Sequence, residues 1–119
     1  ASDVYKRQGK NMANYKVLGQ ANPQTPLSPV TLYTVPNVNQ AFCSTLSMCN
    51  QGAIAANVFV AVQPQGSALD PKNYIVYNQT IQPADSIFLT IGIALGPTDV
   101  VSVMSTTSSV SYNLFGSEI

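Results

Sequence analysis

The sequence contains no histidine and no tryptophan, and only five basic and five acidic side chains among its 119 residues. Without histidine, the commonest general base is missing, and so is a frequent zinc ligand. The charged fraction is 8%, against roughly 25% in an ordinary soluble domain. No apolar run approaches the roughly 20 residues that a helix needs to cross a bilayer. The longest candidate, Ile87 to Leu95, is interrupted by Thr90 and Gly92. The start of the sequence has no signal-peptide core, since its longest aliphatic stretch is Val17-Leu18. Net charge is zero, with Lys6, Arg7 and Lys10 near the start. Beyond Met12 the bases are Lys16 and Lys72 and the acids Asp70, Asp85, Asp99 and Glu118, a net charge of −2. No basic stripe tracks a phosphate backbone, so a nucleic-acid partner has no electrostatic support.

What is present is apolar and polar-neutral. Hydrophobic residues make up 45% of the chain, and Asn, Gln, Ser and Thr take the place of the missing charges. Disordered chains show the opposite balance. The length suits one domain with a core of its own.

Motifs of catalysis are absent. Serine is frequent, but neither a G-x-S-x-G elbow nor an S-x-x-K pair occurs. The glycines form no G-x-G-x-x-G or G-K-[ST] phosphate cradle. Asp70-Pro71, Pro83-Ala84-Asp85 and Pro97-Thr98-Asp99 place three carboxylates in turns, where an Asx side chain caps backbone N–H groups. They offer neither a glycosidase pair nor the concentrated D-x-D-x-D ligands of a calcium loop. Asn78-Gln79-Thr80 matches a glycosylation acceptor without a secretory signal to accompany it. No catalytic, cofactor-binding or metal-binding residue is assigned, no cofactor is expected, and the binding residues are unknown at this stage.

Cys43 and Cys49 fall on one expected strand. Six residues at about 3.3 Å each set them roughly 20 Å apart, while a disulfide needs Cα atoms within about 7 Å. They are expected to be free, small hydrophobes, which suits assembly in a reducing cytoplasm.

Residues 1–11 do not share the pattern of the rest. They hold four of the ten charges and show neither a period of two nor one of 3.6. Met12-Ala13-Asn14-Tyr15 reads as a natural start, and Ser2 to Gln8 resembles the translated adapter remnants found at the ends of metagenomic reading frames. Residues 1–11 are therefore expected to be a non-native or flexible extension, and 12–119 a single domain.

Within 12–119 the apolar residues recur with period two, and Val, Ile, Thr and Tyr dominate them. Strands are expected over 15–20, 30–35, 40–50, 57–63, 74–81, 86–95, 100–104 and 110–115. The three prolines of Asn22 to Pro29 make that segment a loop. In the third strand Phe42, Leu46 and Met48 share one face, with Thr45 and Ser47 on the other. In the fourth, Val58, Val60 and Val62 align. In the fifth, Tyr74 and Tyr77 point to opposite faces, so that one can be exposed. In the sixth, Ile87, Leu89, Ile91, Ile93 and Leu95 form the longest alternating row. Eight strands with turns every 8–12 residues indicate an all-β, antiparallel β-sandwich, jelly-roll or Ig-like, with a closed barrel as the other solution.

The opening Met12-Ala13-Asn14-Tyr15-Lys16-Val17-Leu18-Gly19-Gln20 resembles small virion structural proteins of tailed phages, especially marine cyanophages. Leu32-Tyr33-Thr34-Val35-Pro36, Tyr74-Ile75-Val76-Tyr77, Leu95-Gly96-Pro97-Thr98-Asp99-Val100-Val101 and the ending Phe115-Gly116-Ser117-Glu118-Ile119 are similar too. The resemblance implies a component of the particle, as capsid decoration or in the neck or tail, without catalytic residues. The expected function is thus non-catalytic, through protein–protein contacts in a virion assembled in the host cytoplasm. Other virion proteins and further copies of the chain are the expected partners, with no nucleic acid and no membrane. The alternative is a receptor- or carbohydrate-binding module, in which an exposed Tyr stacks on a sugar ring. Scarcity of lysine on the edge strands further suggests that something else covers those edges.

Overall fold

Strands begin and end where alternation gives way to Pro, Gly, Asn and Asp. The computed structural model describes residues 15–119, and the expectations for residues 1–11 fall outside that range. Eight strands follow in order: β1 (Tyr15–Ala21), β2 (Val30–Thr34), β3 (Ala41–Asn50), β4 (Ala56–Gln63), β5 (Tyr74–Ile81), β6 (Ser86–Leu95), β7 (Val100–Ser105) and β8 (Val110–Glu118). Two single 3₁₀ turns, Pro64–Gly66 and Pro71–Asn73, separate β4 from β5. The last strand runs past Phe115 to Glu118, because Gly116 and Ser117 still pair with Cys43 and Phe42.

The strands form two four-stranded sheets, ordered β1-β8-β3-β6 and β2-β7-β4-β5. Every pairing is antiparallel. The chain crosses from one sheet to the other at nearly every connection, and only β4 and β5 are both consecutive and paired. Two sheets of four strands in this order make a jelly roll rather than a closed barrel.

The core lies between the sheets. Leu46, Met48, Tyr112 and Leu114 come from one sheet, and Val58, Val60, Val101 and Val103 from the other. Ile87, Leu89, Ile91 and Ile93 of β6 pack against this core while partly exposed, with the alternation the sequence indicates. β1 and β2 close one flank of the sandwich. A Cβ on Gly19 would lie 2.0 Å from the Leu32 carbonyl oxygen, so the close approach there requires glycine.

One departure from regular pairing reorganises the first sheet. Cys43 and Leu46 both face the core, opposite Gly116 and Leu114 on one side and Ile93 and Leu89 on the other. Over the same step β8 therefore uses two residues, β3 three and β6 four. The extra residue in β3 reverses the alternation before Leu46. Phe42 consequently turns outward and is 45% exposed, whereas Leu46 and Met48 are fully buried. The expectation that these three share a face is corrected by this bulge.

All four edge strands carry a similar irregularity. Each of β1, β2, β5 and β6 has a residue more than its partner at a register shift: between Val17 and Gly19, between Thr31 and Tyr33, between Val76 and Gln79, and between Thr90 and Ile93. Bulges twist an edge out of line and discourage pairing with a further strand. The edges are thus guarded by backbone irregularity, and the shortage of lysine leaves them less open than composition suggests.

Candidate functional site

The outer face of the β2-β7-β4-β5 sheet carries a hollow of about 760 Å³. Its floor comes from β4 and β7. Phe59 of β4 sits opposite Met104 of β7, and Phe59 is buried yet stands apart from the core between the sheets. Tyr74 and Tyr77 of β5 form one wall, Leu69, Asp70 and Pro71 of the preceding loop another, and Leu27 a third. The Leu27 N–H donates to the Ser105 carbonyl oxygen at 2.8 Å, which fastens the proline-rich loop beside β7.

Tyr74 and Tyr77 do not point to opposite faces. Their ring centroids are 5.1 Å apart and edge-on, and both rings meet Phe59, at 6.2 and 5.1 Å. The physical reason is again irregular pairing. Val58 pairs with Gln79, Val60 with Val76 and Ala61 with Tyr74, so β5 gains a residue at each step. Asn78, at the first of these, has φ 56°. Edge-to-face rings at these distances are attractive, and they build a rigid aromatic surface.

Among the described residues Asp70 is the sole charged group in the lining. It also holds the wall in shape: its Oδ1 accepts from the Lys72 N–H at 3.1 Å, and its own N–H donates to Asn73 Oδ1 at 2.7 Å. This reciprocal cap fixes the Pro71–Asn73 turn. Asp85 and Asp99 also serve turns. Asp85 accepts from the Ser86 N–H at 2.8 Å, and Asp99 accepts from Gln65 and Gly96, each at 2.8 Å. Among the described residues no three His, Cys, Asp or Glu side chains converge as metal ligands. No helix there is long and apolar enough to cross a membrane.

The outer face of the other sheet also exposes large apolar side chains among its Ser, Thr and Asn residues. Tyr15, Val17, Phe42 and Phe88 are exposed there, at 54, 47, 45 and 70%. At its border lies an arrangement not visible in the sequence. Glu118 of β8 accepts from Lys16 Nζ of β1 at 2.8 Å and from the Tyr33 hydroxyl of β2, so one carboxylate joins both sheets. The bonds from Lys16 and Tyr33 hold its pKa below the usual carboxylate value. Burial, with the neighbouring carboxylate, pushes the Tyr33 phenol upward. Cys43 and Cys49 are both free, and burial raises the Cys43 thiol to about 11, which leaves little reactive thiolate at neutral pH.

Of the hollow's residues, sequence reasoning identified Tyr74, Tyr77 and the cap at Asp70. It missed Phe59, Leu27, Leu69 and Met104 as surface formers. One signal was available: β4 is apolar at Phe59 and Ala61 as well as at Val58, Val60 and Val62. A strand apolar on both faces indicates an outer face that is itself covered.

No family model matches the sequence, and no curated protein matches it. Solved structures of similar shape include a chain of the infectious bursal disease virus Gt strain, 8% identical, with a TM-score of 0.48. The match covers 87% of this chain and 31% of that one, so this chain spans under a third of its length. A chain of the acid-stable capsid of Helicobacter pylori bacteriophage KHP30 is 14% identical, with a TM-score of 0.49 over 85% of this chain and 90% of that one. A pentameric capsid protein from metagenomic phage sequences is 13% identical, with a TM-score of 0.40 over 98% of this chain and 74% of that one. With TM-scores under one half, these likenesses carry no argument about role, which rests on the chain's own residues.

Proposed function

We propose that this chain is a non-catalytic structural protein of a tailed-phage virion that works through protein–protein contacts, as capsid decoration or as a neck or tail component. The observation that carries this reading is the exposure of large aromatic and aliphatic side chains on both outer faces of an almost uncharged surface. Jelly rolls serve capsids and lectins alike, so the fold does not choose the role. A β-sandwich needs only its inner faces to be apolar. Here Tyr77 and Phe88 are each 70% exposed on the outer faces of opposite sheets. Large exposed apolar patches mark contact sites, and few charges oppose close approach of a neighbour. The sequence resemblance to virion structural proteins agrees with such contacts.

The second reading is a receptor- or carbohydrate-binding module, favoured by Tyr74 and Tyr77 at the mouth of the hollow. The test is capture of the purified chain by assembled phage particles, run beside a glycan array. Saturable capture with a blank array is the expected result. A specific sugar bound at micromolar strength, with particles ignored, replaces the first reading by the second.

A further inference from the structure

We infer that the hollowed face of the β2-β7-β4-β5 sheet is a two-fold interface whose partner is a second copy of this chain. The inference rests on the reading that this face makes protein contacts, and it names what covers it. A two-fold contact requires a self-complementary surface, on which whatever projects from one copy meets whatever recedes in the other. This face carries both. Tyr77 and Leu27, 70 and 56% exposed, stand at the rim, and the 760 Å³ hollow lies beside them. Rotation about an axis lying in the contact plane carries each rim toward the opposite hollow.

The charges at the rim obey the same rule. Asp70 and Lys72 lie two residues apart in one capped turn. Among the described residues neither makes an ion pair, the Lys16–Glu118 bridge being elsewhere. Under the two-fold, Asp70 of each copy faces Lys72 of the other, and both charges are matched without any third component. A partner of different chemistry would need its own pair of opposite charges at that spacing. The bulges in β1, β2, β5 and β6 disfavour association by shared sheets, which leaves the faces.

The test is sedimentation of the full chain over a wide concentration range, with particle capture measured on the same samples. Dimers are expected for the unaltered protein. Tyr77→Ser is expected to weaken the dimer about tenfold or more, as loss of a central aromatic contact does. Lys72→Glu brings carboxylates together across the axis and is expected to weaken it by about tenfold. Asp70→Asn added to Lys72→Glu removes that repulsion and keeps a competent turn cap, so most of the affinity returns. Circular dichroism confirms that each variant is folded. A strict monomer, an oligomer that is not two-fold, or a dimer indifferent to Tyr77→Ser and Lys72→Glu overturns the inference. A monomer that particles still capture defeats the two-fold alone, and a dimer that ignores particles defeats the virion role alone.

Discussion

Asn50 shows how much one side chain can hold in place. Its Nδ2 donates to the carbonyl oxygens of Ile54 and Ile81, at 2.8 and 3.0 Å. Its Oδ1 accepts from the Gly52 N–H and from Ser109 Oγ, each at 2.9 Å. The residue is fully buried and its bond to the Ile81 carbonyl is enclosed, so that carbonyl has no water to fall back on. Asn50→Ala removes all four bonds and strands the buried Ile81 carbonyl, and an unsatisfied buried group costs about 1–3 kcal/mol. A drop of at least about 2 kcal/mol in unfolding free energy by denaturant titration is expected, while the exposed Gln51→Ala should stay within about 0.5 kcal/mol. The sequence places Asn50 only at the end of the third expected strand, because Ile81 and Ser109, two of its four partners, come near it only when the strands are assembled.

Glu118 makes a prediction about pH. Its folded pKa is depressed by Lys16 and Tyr33, so the folded state binds its proton less readily than the unfolded chain. Its contribution is therefore complete above the unfolded value of about 4.3, and it disappears as pH falls through the lower folded value. Thermal midpoints of the native chain and Glu118→Gln should differ most near neutral pH and converge in acid. A constant difference down to about pH 2 contradicts this account.

At the scale of elements, β6 tests the alternation. Ile91 packs against the core although β6 is an edge strand, whereas Thr90 is exposed. Burial is incomplete, so Ile91→Ala should cost about 1–3 kcal/mol, less than the roughly 2–5 kcal/mol of a fully enclosed site. Thr90→Ala should cost less than about 0.5 kcal/mol. Equal losses in denaturant midpoints contradict the observed facing.

The eight strands were legible because period two and turn residues are local signals, and the boundaries hold to within a residue or two except in β8. Facing was legible in β4 and β6, where the strand's own alternation survives, and not in β3 or β5. Val58, Val60 and Val62 align as expected, but Phe42 and the Tyr74–Tyr77 pair do not, since a bulge is a property of two strands and leaves little trace in one. The hollow was missed for the same reason. It needs the two extra residues of β5, the capped turn at Asp70 and the seating of Leu27, each set by a distant partner.

For the whole molecule, the jelly-roll order joins the first and last strands. β1 pairs with β8, and β3 lies between β6 and β8. Such non-local pairing requires closure of long loops before contacts repay it. Refolding by stopped flow is expected on the millisecond-to-second scale typical of β-sandwiches, and microsecond folding contradicts the topology.

The bulged edges have a consequence for how such a chain waits to be used. At high concentration an open strand invites backbone pairing with another copy that is hard to undo. With every border out of step, neighbouring copies are left to meet through side chains on their faces. Contacts of that kind can break and re-form, so a copy that docks wrongly can leave and dock again.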